Sequence, residues 1–224
     1  MEVSSRLLAL IVELVTIPKE QENKKSRSVF DAVSDSHKIT SFDTPGPGTF
    51  RMSSQQGKPN FTKYVITKNR VVMSYEFCEN SINYFYGLMS DFLGHYSKIT
   101  GNPAFLAQNI LLRRLVNIPG INDSRDYMLK NVYSFKEENL RKFGRPLHLF
   151  GSRILFPPFN KDNTTYEAKI ETSVEDYKTF FIENKGVFPS ALDVKKDIDS
   201  LKNNIEAADK FIGENIIKFI TQFM

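Results

Sequence analysis

Tryptophan is missing from this 224-residue chain, and cysteine occurs once, as Cys78. One cysteine excludes an intramolecular disulfide, so cysteine usage does not call for an oxidising compartment. Histidine is scarce too. His37, His95 and His148 stand far apart, and none is spaced with a cysteine or an acid as metal ligands are. The expectation is no metal and no cofactor. The GxxxxGK(S/T) phosphate cradle is absent, and Gly46-Pro47-Gly48 lacks the strand-to-helix setting of a dinucleotide fingerprint. No GxSxG marks a nucleophile elbow. Cys78 falls between a strand and a helix and reads as a small buried hydrophobe rather than a nucleophile. Long hydrophobic runs are missing as well. LLALIVELV at 7–15 is short and carries Glu13, whereas about 20 apolar residues are needed to span a bilayer. Glu2 before it and IPKEQENKK after it do not make a signal peptide. We expect a cytoplasmic protein with no membrane contact.

Aromatic surface is plentiful: 19 Phe and 9 Tyr give the chain much to bury, which excludes disorder along its whole length. At this length, one sizeable core or two small ones can form. The net charge of +4 is unevenly spread. Residues 1–160 hold 21 Lys/Arg against 14 Asp/Glu, and residues 161–224 hold 9 against 12.

The pattern alternates strands with isolated helices, which indicates an α+β fold: an antiparallel sheet with helices on one side. RLLALIVELVTI (6–17) is β-branched and stopped by Pro18, so it reads as a buried strand. A polar helix follows at 19–33. Residues 34–60 read as a mobile loop, with a short strand at 48–53. FTKYVITKNRVVMSYEF (61–77) reads as a hairpin turning near Lys68-Asn69, followed by a helix over 80–97 that Gly101 and Pro103 end. Residues 105–119 read as a long strand. Asp123-Ser124 opens a helix, and Ser134 with Glu137 fits a capping box for another that Gly144 terminates. LHLFGSRILF (147–156) reads as a strand with a bulge at Gly151, and 164–174 and 180–189 as two more, with a short helical turn at 174–178 between them. One solvated face on 164–174 requires an antiparallel sheet. The clearest element is the last. Val194, Ile198, Leu201, Ile205, Ala208, Ile212, Ile216, Phe219 and Phe223 recur at steps of three and four. That is one amphipathic helix of roughly eight turns. Sub-lobes 1–103 and 104–224 fit within one α+β domain, and no internal repeat of clear period is visible.

Paired carboxylates offer little. Glu175 and Asp176 suit a helix N-terminus, as do Asp193, Asp197 and Asp199. Arginine offers more, since six of the ten lie between 113 and 153. Its planar fork suits phosphate and carboxylate. Arg113 and Arg114 must point to opposite faces of a strand, so only one of them can share a face with Arg153. The candidate anion or nucleic-acid surface is Arg114, Arg141, Arg145, His148 and Arg153, with Tyr127, Tyr133 and Phe150 nearby to stack on bases.

QNILLRRLVNIP (108–119), FGRPLHLFGSRILFPP (143–158) and YEAKIETSVEDY (166–177), followed by the long last helix, resemble an uncharacterised prokaryotic family of α+β proteins. The resemblance implies a fold and no activity, and carries no site residue. The expected function is a non-enzymatic interaction or regulatory protein, its partner another protein or a second copy met through the long last helix, the sheet, or both. A nucleic-acid or anion-binding module on 113–153 is the alternative. An enzyme whose site converges only in three dimensions is the second.

Overall fold

The computed structural model describes residues 3–145, 147–173 and 176–224. Its frame is a nine-stranded, wholly antiparallel sheet, with helices on one face. In chain order the elements are β1 (Ser4–Val15), α1 (Asn23–Val33), β2 (Ser41–Gly46), β3 (Thr49–Ser53), β4 (Phe61–Ile66), β5 (Arg70–Glu76) and α2 (Ile82–Thr100). Then come β6 (Ala104–Phe105), β7 (Ala107–Asn117), α3 (Ser124–Tyr127, continued by a π-helical turn Met128–Val132), α4 (Glu137–Arg141), β8 (Gly151–Phe156), β9 (Thr165–Thr172), β10 (Thr179–Phe188) and β11 (Leu192–Asp193). The last helix, α5, runs Ile198–Phe211, passes through a π-helical stretch Ile212–Ile217, and ends with Lys218–Thr221. β6 and β11 form a separate two-stranded ribbon.

The strand order β2-β3-β4-β5-β1-β7-β10-β9-β8 hides a repetition. β1-α1-β3-β4-β5-α2 and β7-α3-β8-β9-β10-α5 have the same order of elements. Each unit's strands run outward from the central antiparallel β1–β7 pair. The repetition lies in topology and not in a shared residue pattern, which is why no sequence period shows it.

Period-two burial follows from this arrangement. Leu10, Val12, Ile110, Leu112, Ile182 and Ile170 point to the helix face and are buried. α2 lays Phe92 flat on Tyr64, with ring centroids 4.1 Å apart, and Phe85 against Tyr75 at 4.9 Å. α2 begins where Ser81 accepts a hydrogen bond from the Tyr84 N–H and ends at Gly101 in the left-handed region. α5 covers β7 and β10, burying Leu201, Ile205, Ala208, Ile212, Ile216 and Ile220. The opposite sheet face has no helix. It carries ion pairs between neighbouring strands: Arg51–Asp43, Lys63–Glu76, Arg70–Glu13 and Arg113–Glu183.

Three local expectations change. Residues 34–60, read as a loop with a short strand at 48–53, hold that strand as β3 and a second one, β2, paired with it around the Pro- and Gly-rich turn. Those breakers make a hairpin turn, with Gly48 at φ +63°, and do not abolish pairing. Ser134 does not cap a helix, because it sits at φ +53°, outside the extended region an N-cap needs. α4 starts later, after Lys136, with no side-chain cap. Gly151 is not a bulge. It opens β8 in unbroken register, and a Cβ there would stand 2.9 Å from the Ile170 carbonyl, so close approach to β9 demands glycine. The turn expected at 174–178 falls partly outside the described residues.

Candidate functional site

The stretch 143–159 concentrates what the fold leaves uncovered. Gly144, at φ +65°, ends the α4 region, and the chain then crosses the surface to β8, the terminal strand of the sheet. Fourteen large hydrophobic side chains are exposed among the described residues, and six of them lie here: Phe143, Leu147, Leu149, Leu155, Phe156 and Phe159. Phe143 and Phe159 are 75% and 76% accessible, and Leu155 is 63%. A groove of about 590 Å3 opens between this stretch and α5, lined by Phe156, Phe159, Tyr166, Lys210 and Phe211 among others. Its floor is rigid. Tyr166 stacks on Phe211 at 4.1 Å and 8°, and Phe156 meets Phe211 edge-on at 5.2 Å. Exposed apolar side chains gathered in one stretch of chain, on both faces of β8, make it the candidate contact surface.

The arginines are not gathered. Arg114 lies on the helix face, where it donates to Asp209 of α5 at 2.7 Å and to Ser5 Oγ at 3.2 Å. Arg153 lies on the open face and grips Glu167 with two hydrogen bonds of 2.7 and 2.8 Å, holding that carboxyl below its usual range. Strand parity therefore separates these two candidates, as it separates Arg113 from Arg114. Arg113 shares the face of Arg153: Arg113, Glu183, Lys169 and Arg153 are register mates across β7, β10, β9 and β8. Arg125 is held by Asp123, which also caps α3, and lies 3.6 Å from the centre of the Tyr177 ring. Arg141, Arg145 and His148 are exposed beside the apolar stretch. Four of the six arginines in 113–153 thus hold carboxylates.

The two faces set different costs. Arg114→Ala is expected to destabilise by about 1.5–3 kcal/mol, because its side chain is only 16% accessible and Asp209 loses a charged donor. Arg153→Ala, at 72%, is expected to cost under about 1 kcal/mol. Paired urea titrations check the contrast, and equal costs would contradict it.

A buried polar chain went unread in the sequence. His37 Nε2 lies 2.9 Å from Asp91 Oδ2, His37 Nδ1 lies 2.7 Å from the Tyr64 hydroxyl, and that hydroxyl lies 3.1 Å from the hydroxyl of Tyr75. With the imidazole neutral, one proton order satisfies all three contacts. Nε2–H donates to the Asp91 carboxylate, Tyr64 donates to Nδ1, and Tyr75 donates to Tyr64. Burial pushes both phenols well above their usual range. Both rings are fully buried, so the chain clamps α2 to the sheet. Its members span residues 37–91, so no local spacing could reveal it. Cys78 is buried too. Its Sγ–H donates to the Tyr75 carbonyl, and burial pushes the thiol up to about 12.

No group of His, Cys, Asp or Glu among the described residues is arranged to hold a metal ion, and no described helix is long and apolar enough to cross a membrane. Compared with known proteins, the chain matches no family model and no curated protein.

Proposed function

We propose that this chain is a non-enzymatic interaction protein of the cytoplasm whose contact surface is the 143–159 stretch, and whose first partner is a second copy of itself. The observation that carries the reading is the gathering of exposed aromatic and aliphatic side chains on and beside β8, the terminal strand of the sheet. The apolar stripe of α5, one surface first expected to meet a partner, is buried against the chain's own sheet from Leu201 to Ile220. Contact therefore moves to the side chains that remain exposed. Phe143, Leu155 and Phe159 have the size and apolar character of interface anchors.

Light scattering of the chain at tens of micromolar tests the reading, a range in which a self-contact of ordinary strength is populated. A mass twice 25.8 kDa is expected. The double variant Leu155→Lys/Phe159→Ser should return it to 25.8 kDa with its thermal midpoint little changed, because both side chains are exposed. A wild-type chain that stays monomeric throughout, or a variant that still dimerises, overturns it.

A further inference from the structure

We infer that two copies pair β8 to β8 across a two-fold axis, with Ile154 facing the other copy's Ile154, so that two nine-stranded sheets become one. This rests on the self-association reading above and adds its geometry.

The backbone of β8 supplies the first reason. The Thr172 N–H donates to the Phe150 carbonyl, and the register runs from there through Gly151–Glu171 to Phe156–Tyr166 without a slip. Antiparallel ladders alternate their bonding direction residue by residue. Ser152, Ile154 and Phe156 therefore spend their backbone groups on β9. Gly151, Arg153 and Leu155 aim theirs outward, and β8 has no neighbour on that side. Such an edge is a template for another strand unless it is guarded. Proline and charge are the usual guards. Proline waits until Pro157, beyond the strand, and the strand's one charge, Arg153, is clamped to Glu167.

The other sheet edge supplies the second reason. β2 carries Pro45, and its pairing with β3 slips between Asp43 and Gly46. It is a poor acceptor for β8, which disfavours head-to-tail growth and leaves the closed, isologous pair.

Register follows from side chains. Strands paired in one continuous sheet must match face to face, so the axis falls on a residue and not between two. An axis at Arg153 sets two guanidinium groups opposite each other. An axis at Leu155 sets Arg153 against Pro157, which has no N–H to give. An axis at Ile154 sets Arg153 against Leu155, and their outward N–H and C=O groups bond reciprocally. On the open face the aliphatic stem of each Arg153 then covers a Leu155. On the helix face Ile154 meets Ile154, flanked by Ser152 and Phe156. Each Phe156 brings its aromatic groove with it, so the grooves line both sides of the seam.

Cysteine scanning in a Cys78→Ser background tests this. Residues facing across a non-hydrogen-bonded antiparallel pair have Cα atoms about 4.5 Å apart, within disulfide reach. Under mild oxidation, Ile154→Cys is expected to give a disulfide-linked dimer in most of the protein. Ser152→Cys and Phe156→Cys should give little, since each then lies four residues from its own counterpart. Leu155→Lys should abolish crosslinking at 154 while leaving the fold intact. A wild-type dimer whose strongest crosslink lies elsewhere overturns this geometry and leaves self-association standing. A wild-type monomer overturns both, and leaves the β8 edge to an extended segment of a different chain.

Discussion

Ile205→Ala is expected to remove about 2–5 kcal/mol of stability, the usual cost of truncating a fully buried branched side chain. Ile205 is 0% accessible at the middle of α5, between Leu201 on one side and Ala208 and Ile212 on the other. No other part of the chain can close over the vacated volume without moving α5 against β7 and β10, so a cavity remains. Ile205→Asp should fail to fold, because it leaves a carboxylate in that space without a partner. Phe223→Ala is the contrast. Phe223 closes the same periodic stripe in sequence but is 38% accessible and meets the Phe219 ring edge-on at 5.7 Å. Its loss should cost under about 1.5 kcal/mol, mostly the edge-on ring contact and some partial burial. Urea unfolding of the three variants separates a docked helix from an overhanging one. Near-equal costs for Ile205→Ala and Phe223→Ala would mean that α5 is not seated as described.

That contrast shows where sequence periodicity stops informing. Steps of three and four along 194–223 locate α5 and its apolar side, because helical geometry is local. They allow either a helix packed across a sheet or one that overhangs to meet a partner, and it is the first that the structure has. The covering surface comes from Gln108, Ile110, Ile182 and Asn184, contributed by strands far away in the chain. The same limit explains why only the second strand of the 41–53 hairpin was read and β2 was missed. Its breakers were visible, but a turn and a loop share composition, and only pairing with β4 distinguishes them. Strand parity succeeded for the opposite reason. Placing Arg113 and Arg114 on opposite faces needs only the period of two, and the structure gives one to Glu183 and the other to Asp209.

The candidate surface was half legible. The stretch 142–159 drew attention through its arginines and histidine, while its exposed residues of interest are Phe143, Leu149, Leu155 and Phe159. A run such as RILF reads as buried in sequence, since apolar residues in a strand are normally covered. That β8 is the last strand, with nothing beyond it, is a property of sheet order. The βαβββα repetition about the β1–β7 pair is equally invisible to residue patterns, yet it puts β8 at one end of the sheet, while at the other end β2, outside the repetition, adds a strand beyond β3.

Acidification is expected to weaken the protein through His37 before its carboxylates titrate. Burial lowers the pKa of this imidazole below the unfolded-chain value of about 6.5, against smaller opposing contributions from the Asp91 hydrogen bond and charge. The unfolded chain therefore takes up the proton first as pH falls. Stability from the neutral ring is complete above about pH 6.5 and is lost from there down toward the lower folded pKa, by at most about 1.4 kcal/mol per pH unit. A protonated Nδ1 donates where it had accepted, so the hydroxyl chain must reverse, with Tyr64 turning its proton toward Tyr75. Three variants make the cause specific. His37→Gln should flatten the slope between about pH 7 and 5.5, the interval in which an imidazole titrates. Tyr64→Phe should cost about 1–3 kcal/mol at neutral pH, since it leaves Nδ1 buried without a donor. Asp91→Asn removes both contributions that favour the charged ring, so His37 should titrate at still lower pH and the sloping window should lengthen. Urea midpoints across this range, with ring-proton NMR shifts of His37 in the folded state, measure all of it. A His37→Gln protein that keeps the wild-type slope would assign the acid sensitivity to another group and leave the buried imidazole a silent clamp.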